Sequence, residues 1–355
     1  MLTTKVTNDI EFAYHDSGPP PNKSEYDTII VIHGHTYHSG TFSPMLEKAH
    51  AFGYRVILPN RRLYPGSTPY TKEEVDAFEP THSTEEITKA YLKQGEYLLL
   101  FVNNVIKEHH LKNVILSGWS LGTAFLSITV ASITAVSEEV RDSLRKAVKS
   151  IVWWDPPASA HGIENPPTGG WIPLYDETLT PQERGQAFGQ WLAQYYPHKN
   201  LEKKDCHTLI YKVETPVKTP TYTGISFPEF LTKIDLTAGA NGDDPVAGSK
   251  HFQPVTSKVR ELSFFNSNVR SAWGNITFGV IYGEESPYNV IWAIWKLEEE
   301  SEKTGLSLKI KSMPGANHFV SVYSIAIDLY THRSFNLKVM EDNTKLVFDT
   351  LQTFS

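Results

Sequence analysis

Short runs of β-branched and aliphatic residues, each ending at a glycine, a proline or a polar residue, recur along this chain. Clear examples are TIIVIHG, YRVILPN, NVILSGWS and SIVWWDPP. Continuous apolar runs of this length are typical of strands that are buried on both faces of a sheet. Between them, residues 43–52, 84–110, 121–136 and 138–149 have the composition and apolar spacing of helices. Strands that alternate with helices predict an α/β fold with a mostly parallel, doubly wound sheet.

The alternation stops after SIVWWDPP and resumes with the strand ITFGVIYG, the helix VIWAIWKLEEES and the strand LSLKIKSMPG. Residues 156–275, which lie between, are dense in proline, glycine and aromatic residues. We therefore predict a core made of residues 1–155 and 276–355 and an inserted, mainly helical cap domain at 156–275. Two helices are expected inside the cap, ERGQAFGQWLAQYY and FPEFLTKIDL, and HFVSVYSIAIDLY is expected to begin a closing helical region.

Composition limits the classes of partner. The 355 residues are 40% apolar and 21% charged, which is ordinary for a globular chain, and the net charge of −7 gives no reason to expect a nucleic acid. Cys206 is the single cysteine, so an internal disulfide is excluded and a reducing compartment is favoured. The polar first residues do not resemble a signal peptide, and no apolar run reaches the ~20 residues of a membrane span. We expect a cytoplasmic monomer or homodimer without a membrane span.

The segment GWSLG, from Gly118 to Gly122, lies where a β-branched strand gives way to a helix of small residues. A sharp strand–turn–helix leaves no space for a Cβ on either side of its central residue, which explains both glycines. The turn places Ser120 at a helix N-terminus, whose amides favour a developing negative charge. We interpret Ser120 as a nucleophile; the alternative is an ordinary serine in a tight turn.

Two histidine-containing segments complete this pattern. The loop after TIIVIHG is suited to form half of an oxyanion hole, in which the backbone amide of His35 would pair with that of Leu121. His318 follows the last predicted strand and is the candidate general base for a serine that needs one. A metal site formed by the histidines near His35 is the alternative, but neither a carboxylate nor a cysteine lies nearby in sequence. We predict no metal and no cofactor.

The motifs HGHT, NRRLYPGSTPY, GWSLG and GANHF occur in the order and spacing of the α/β-hydrolase fold superfamily. Over residues 1–155 and 276–355 the chain resembles its capped, fungal-type serine hydrolases, which include esterase-, lactonase- and epoxide-hydrolase-like members. Epoxide hydrolases and haloalkane dehalogenases of this fold use aspartate as nucleophile, and Ser120 departs from that. The resemblance therefore implies acyl chemistry on an ester, thioester or lactone, or lyase chemistry of the hydroxynitrile type.

The position of the triad acid is the open question. In the family the acid usually follows the seventh core strand, but this chain has Ser286 there, three residues after the glycine of VIYGEES. Pancreatic-type lipases instead have it after the sixth strand, and VWWDPP resembles their aspartate–proline motif. Asp155 would then lie at the carboxyl ends of the strands, where α/β sheets carry their sites. We expect Asp155 to be the acid, with Glu285 and Glu284 as alternatives.

Aromatic residues in and beside the predicted cap would suit a pocket for a hydrophobic small molecule, and the candidates are Trp154, Trp171, Trp191 and Tyr195. The alternative is that these side chains only pack the cap. The expected function is a serine hydrolase, a carboxylic ester hydrolase acting on an ester or lactone. The alternatives are a hydroxynitrile-type lyase and a non-catalytic ligand-binding protein on the same scaffold.

Overall fold

A computed structural model describes residues 1–320 and 337–355 of the chain. In this part of the chain the strands are β1 (Leu2–Lys5), β2 (Glu11–Asp16), β3 (Thr28–Ile32), β4 (Arg55–Pro59), β5 (Val114–Trp119), β6 (Val148–Trp154), β7 (Thr277–Gly283) and β8 (Lys309–Met313). They form one sheet of eight strands in the order β1-β2-β4-β3-β5-β6-β7-β8. β2 pairs antiparallel with β1 and β4, and all other neighbours are parallel. The predicted fold class, a mostly parallel α/β sheet, is confirmed.

The helices are α1 (Ser43–Phe52), α2 (Lys72–Asp76), α3 (Thr84–His109), α4 (Gly122–Ala131), α5 (Glu138–Ala147), α6 (Pro181–Leu192), α7 (Phe227–Leu231), α8 (Leu236–Ala238), α9 (Asp244–Gly248), α10 (Gln253–Arg260), α11 (Ser267–Trp273), α12 (Tyr288–Thr304) and α13 (Leu337–Gln352). The local sequence explains where two of these helices begin. Ser83 forms a capping box with Glu86 at the start of α3, and Thr180 forms one with Glu183 at the start of α6.

Several predicted boundaries differ from the observed ones. The helix expected at 121–136 ends at Ala131 and continues as a 3-10 turn, and the helix expected to reach residue 149 ends at Ala147 because β6 begins at Val148. The single helix expected for FPEFLTKIDL is instead divided: α7 ends at Leu231 and α8 begins at Leu236. Phe227 is 71% exposed, so little packing stabilises a longer α7. Part of the predicted closing helical region lies outside the described residues.

The sheet separates two apolar clusters, and every residue of α4 is buried. Between β6 and β7 the chain forms short helices and turns. The last of these, α10 and α11, pack against α3, α4 and α5, and their apolar residues share the cluster that those core helices form. Among the helices of the described residues, none combines the length and hydrophobicity that crossing a lipid bilayer requires.

Candidate active site

Ser120 lies at the carboxyl end of β5 in a left-handed backbone conformation, with φ of 56°. The two flanking glycines are required by close backbone contacts. A Cβ on Gly118 would lie 2.4 Å from the carbonyl oxygen of Gly122, and a Cβ on Gly122 would lie 2.2 Å from that of Ile32. The strained turn of GWSLG therefore forms here as the motif predicts, and it lifts the Ser120 side chain out of the strand.

Asp155 takes the same position at the end of the neighbouring strand. The register of β5 and β6 pairs Trp119 with Trp154, so the next residues, Ser120 and Asp155, leave the sheet side by side. The Ser120 amide donates to the carbonyl of Trp154 at 2.9 Å, and Asp155 also has positive φ, 49°. Two adjacent parallel strands thus place their polar residues together at the carboxyl end of the sheet.

The carboxylate of Asp155 is completely buried and accepts three hydrogen bonds. Oδ1 accepts from the backbone amide of Gly283 at 2.8 Å. Oδ2 accepts from the Ser286 hydroxyl at 2.7 Å and from Nδ1 of His318 at 2.9 Å. Burying a carboxylate is unfavourable unless donors compensate for the lost water, and these three donors provide that compensation. Ser286 is therefore a direct partner of Asp155.

His318 joins Asp155 to Ser120. Its Nε2 lies 2.8 Å from the Ser120 hydroxyl and its Nδ1 lies 2.9 Å from the Asp155 carboxylate. A carboxylate only accepts, so an Nδ1–H that donates to Asp155 leaves Nε2 to accept from the serine hydroxyl. The indole Nε1–H of Trp119 donates to the carbonyl of His318 at 2.9 Å, and the two rings lie 5.0 Å apart. A serine hydroxyl in this arrangement can transfer its proton to the imidazole as it attacks an electrophile.

The two alternative acids lie elsewhere. Glu285 pairs with Lys218 at 2.6 Å, and Glu284 contributes its amide to the carbonyl of Met313 at 3.2 Å. Within the described residues, neither glutamate side chain hydrogen-bonds to His318. The loop after β7 therefore directs its glutamates away from the imidazole and turns Ser286 inward.

Asn317 connects the His318 loop to the segment between β6 and β7. Its completely buried amide donates to the carbonyls of Ala193 and Gln194 at 3.1 and 3.3 Å and to the Thr221 hydroxyl at 2.9 Å. Its own Oδ1 accepts from the amide of Phe319 at 3.0 Å. The conformation of the histidine loop is thus coupled to the chain that covers the site.

The two predicted oxyanion residues, His35 and Leu121, both line the cavity next to Ser120. The loop after β3 comes close to the serine, because a Cβ on Gly34 would lie 2.9 Å from the Cβ of Ser120. The His35 ring points the other way, to the carboxylate of Asp244 at 2.7 Å and to the Thr36 hydroxyl at 2.8 Å. The imidazole of His35 thus holds the loop against α9.

The histidines near His35 have protein partners. Nε2 of His33 accepts from the Arg61 amide at 3.0 Å, and burial followed by the Arg61 charge holds the pKa of His33 well below its usual value. Nδ1 of His38 accepts from the amide of Gly40 at 3.1 Å, and burial lowers the pKa of His38 to about 4. Both rings therefore have a structural explanation that involves no metal.

In the described residues one other group, Asp205, Cys206 and His207, has three potential metal-ligand atoms close together. Asp205 and His207 are exposed, and the Asp205 carboxylate already accepts from the His207 amide at 2.9 Å as the cap of a 3-10 turn. Capping explains the position of this carboxylate.

A cavity of about 30 Å³ opens beside Ser120 and His318. Its walls are mostly apolar: Leu121, Pro157, Ile172, Phe188, Trp191, Leu192, Ala247 and Val290, with Ser159, Tyr175 and Asn289 as additional members. Such a volume holds only one or two water molecules, far less than a typical ligand pocket of roughly 300–1,000 Å³. In this conformation the cavity therefore accommodates only a small group beside Ser120.

Of the four aromatic residues predicted for the pocket, Trp191 lies in the cavity wall. Trp154 is completely buried in the core against Phe42, Trp171 hydrogen-bonds to Asp176, and Tyr195 lies beside Lys218. These three do not line the cavity. Trp154 lies on a strand between two helical layers, Trp171 contacts Asp176, and Tyr195 contacts Lys218.

Sequence reasoning did not identify Trp119, Asn317 or Asn289, and it read Ser286 only as a missing acid. Trp119 and Asn317 adjoin Ser120 and His318 in their motifs, which is a weak signal for both. Ser286 and Asn289 carry no signal of their own, because their partners belong to distant parts of the chain.

No family model and no curated protein matches this sequence. Solved structures do. A proline iminopeptidase from Mycobacterium smegmatis aligns at 14% identity with a TM-score of 0.54, covering 99% of this chain and 98% of its own. VinJ aligns at 13% identity and 0.52, and a candidate aryl esterase from Burkholderia cenocepacia at 15% and 0.51, with the same coverage of 99% and 98%. These likenesses and the strand order show that the chain has the α/β-hydrolase fold, as its motifs predict.

Proposed function

We propose that this protein is a serine hydrolase that cleaves carboxylic esters through an acyl-enzyme. One observation carries the proposal: a continuous chain of hydrogen bonds runs from Ser120 Oγ through His318 to Asp155, at 2.8 and 2.9 Å. The three residues come from the ends of three different strands. Their order and geometry match the serine, base and acid of a hydrolytic triad.

In the proposed mechanism Ser120 attacks the substrate carbonyl while His318 accepts the serine proton. His318 then gives that proton to the leaving alcohol, and water attacks the acyl-enzyme with the same imidazole as base. Asp155 holds the imidazole in the tautomer whose Nε2 faces the serine and stabilises the imidazolium. We assign the oxyanion hole to the backbone amides of His35 and Leu121, on the support of their position in the same cavity wall.

Asp155, rather than Glu284 or Glu285, is the proposed acid. The assignment is supported by the 2.9 Å contact with His318 and by the hydrogen bonds that this buried carboxylate accepts from Gly283 and Ser286. Ser286 stands where many members of the fold have their acid, and in this chain it serves as a hydrogen-bond donor to the relocated carboxylate. The unusual loop after β7 is thus compatible with catalysis.

The wall of the cavity favours the ester of a hydrophobic small molecule. Its side chains come largely from the predicted insertion, residues 156–275, which we propose to act as a cap. Because the cavity holds about 30 Å³, we infer that small acyl groups fit directly and that longer ones require displacement of the cap. A lactone meets the same chemistry as an open-chain ester.

A fluorophosphonate probe together with p-nitrophenyl acetate tests this proposal. We expect the probe to label Ser120, and Ser120→Ala to abolish both labelling and ester turnover. A burst of p-nitrophenol would report the acyl-enzyme and separate a hydrolase from a lyase. Folded wild-type protein that is neither labelled nor active would refute the proposal and favour the ligand-binding alternative.

A further inference from the structure

Asn289 is a polar residue in the apolar wall of the Ser120 cavity. It lies in the first turn of α12, next to Val290, which also lines the cavity. Only 6% of Asn289 is exposed, and within residues 1–320 and 337–355 no group donates a hydrogen bond to its Oδ1. A buried amide oxygen without a hydrogen-bond donor is unfavourable.

Packing does not explain an asparagine at this position. The following residues of α12, Val290, Ile291 and Ile294, are apolar and buried, and asparagine is a poor helix former. An apolar residue would satisfy the same space at lower cost. Because Asn289 lines the cavity beside Ser120, a ligand in that cavity can supply the missing donor.

We infer that Asn289 is a specificity-determining residue that binds a hydroxyl group of the substrate. A hydroxyl donates to Oδ1 or accepts from Nδ2, so either orientation of the amide serves. The other side chains near the serine are mainly apolar, so the preferred substrate combines a hydrocarbon frame with a hydroxyl group close to the ester. The inference rests on the proposed esterase function and names the substrate class for the same site: hydroxylated aliphatic esters.

The contribution to selectivity follows from the desolvated position of the amide. An ester without the hydroxyl leaves Asn289 buried and unpaired, whereas the hydroxylated ester pairs it. Sites that pair a substrate hydroxyl reject the analogue that lacks it by a large factor, and we expect a preference of at least about tenfold. Leucine, of similar size but without polar atoms, removes that preference.

Two pairs of esters test the inference by proton release at constant pH. Methyl 3-hydroxybutanoate against methyl butanoate places the hydroxyl in the acid part, and 3-hydroxybutyl acetate against butyl acetate places it in the alcohol part. We expect the wild-type protein to prefer the hydroxylated member in at least one pair by about tenfold in kcat/KM. Asn289→Leu abolishes this preference, mainly by slowing the hydroxylated member. Asn268→Leu, the same change at an exposed position in α11, keeps the wild-type ratio.

The rate of fluorophosphonate labelling of Ser120 is measured in parallel in every variant. It reports the activated serine independently of the substrate hydroxyl and fixes the active fraction. If Asn289→Leu accumulates poorly, Asn289→Ala provides the same comparison. The inference is overturned if the kcat/KM ratio of the hydroxylated to the non-hydroxylated ester is equal in wild type and Asn289→Leu, or if the wild-type protein shows no preference in either pair. In both cases, labelling of Ser120 and ester turnover would still support the esterase proposal. Absence of labelling and of all turnover refutes the proposed function itself.

Discussion

Asp155 is a completely buried carboxylate in the candidate site. It accepts hydrogen bonds from Gly283, Ser286 and His318. Asp155→Asn keeps the shape of the side chain but places an NH₂ donor opposite Nδ1 of His318. That nitrogen must then accept, which favours the wrong imidazole tautomer. We expect kcat for p-nitrophenyl acetate to fall by about three to four orders of magnitude. Glu284→Gln and Glu285→Gln are the matched controls and should change kcat less than about threefold. Loss of activity in Glu285→Gln with normal activity in Asp155→Asn would contradict the assignment.

Ser286 allows the acid to be moved experimentally. Its hydroxyl lies 2.7 Å from the Asp155 oxygen that accepts the hydrogen bond from His318, so a carboxylate at position 286 is within reach of the same imidazole nitrogen. We expect the double variant Asp155→Asn with Ser286→Asp to recover at least about tenfold of the activity that Asp155→Asn loses. Ser286→Ala alone removes one donor and should lower kcat only about tenfold. A double variant no more active than Asp155→Asn would show that the loop after β7 cannot supply the acid.

Several hydrogen bonds connect the loop that carries His318 to the segment between β6 and β7. Asn317 donates to three acceptors at residues 193, 194 and 221 from a completely buried position. Asn317→Ala removes these hydrogen bonds, although the Ala193 carbonyl keeps the Thr221 amide as a donor, so we expect the free energy of unfolding in urea to fall by about 1–3 kcal/mol. Asn268→Ala, the same change at an exposed position in α11, should stay within about 0.5 kcal/mol of wild type. Equal stabilities for the two variants would show that the link is weak.

We expect the cavity wall contributed by α6 to limit the size of the acyl group in the proposed esterase. Phe188 lines the cavity, with its ring 5.8 Å from that of His35 and 6.1 Å from that of Trp191. Phe188→Ala removes a ring from a cavity of about 30 Å³. We therefore expect the kcat/KM ratio of p-nitrophenyl octanoate to acetate to rise by about tenfold. Phe227→Ala, on an exposed ring in α7, is the control and should leave the ratio unchanged. A lower ratio in Phe188→Ala would place the acyl group elsewhere.

The elements that sequence reasoning recovered share one property. β3, β5 and β6 are buried on both faces, so their composition alone reports their position, and α1 and α3 carry clear end signals. β1 was missed because LTTK is a short edge strand with exposed residues and no apolar pattern. The segment between β6 and β7 was read only in outline, since its short turns are stabilised by contacts with distant residues. Similarly, the motifs named Ser120 and His318, but only tertiary structure reveals Ser286 beside Asp155.

At the scale of the whole molecule, folding requires several histidines to be buried in neutral form. Burial, followed by the charge of Arg260, lowers the pKa of His161 to about 3, and burial lowers that of His198 to about 4. Below about pH 6.5 these histidines become protonated in the unfolded chain but stay neutral in the folded protein. The free energy of unfolding is therefore greatest above pH 6.5 and decreases as the pH falls toward the folded-state pKa values. At pH 5 a fully buried histidine such as His161 should cost roughly 2 kcal/mol relative to pH 7.5.

Urea unfolding at pH 7.5 and pH 5 measures this loss, and a variant assigns it. The ring of His161 packs edge-on against Phe264 and contacts the Thr123 hydroxyl at 3.0 Å, so phenylalanine preserves the packing and removes only the titration and one hydrogen bond. We expect His161→Phe to lose about 1 kcal/mol at pH 7.5 but to show a pH dependence smaller than wild type by roughly 2 kcal/mol. His82→Phe, at a partly exposed surface histidine, is the control and should keep the wild-type pH dependence. An unchanged pH dependence in His161→Phe would show that this side chain is not held neutral in the folded protein.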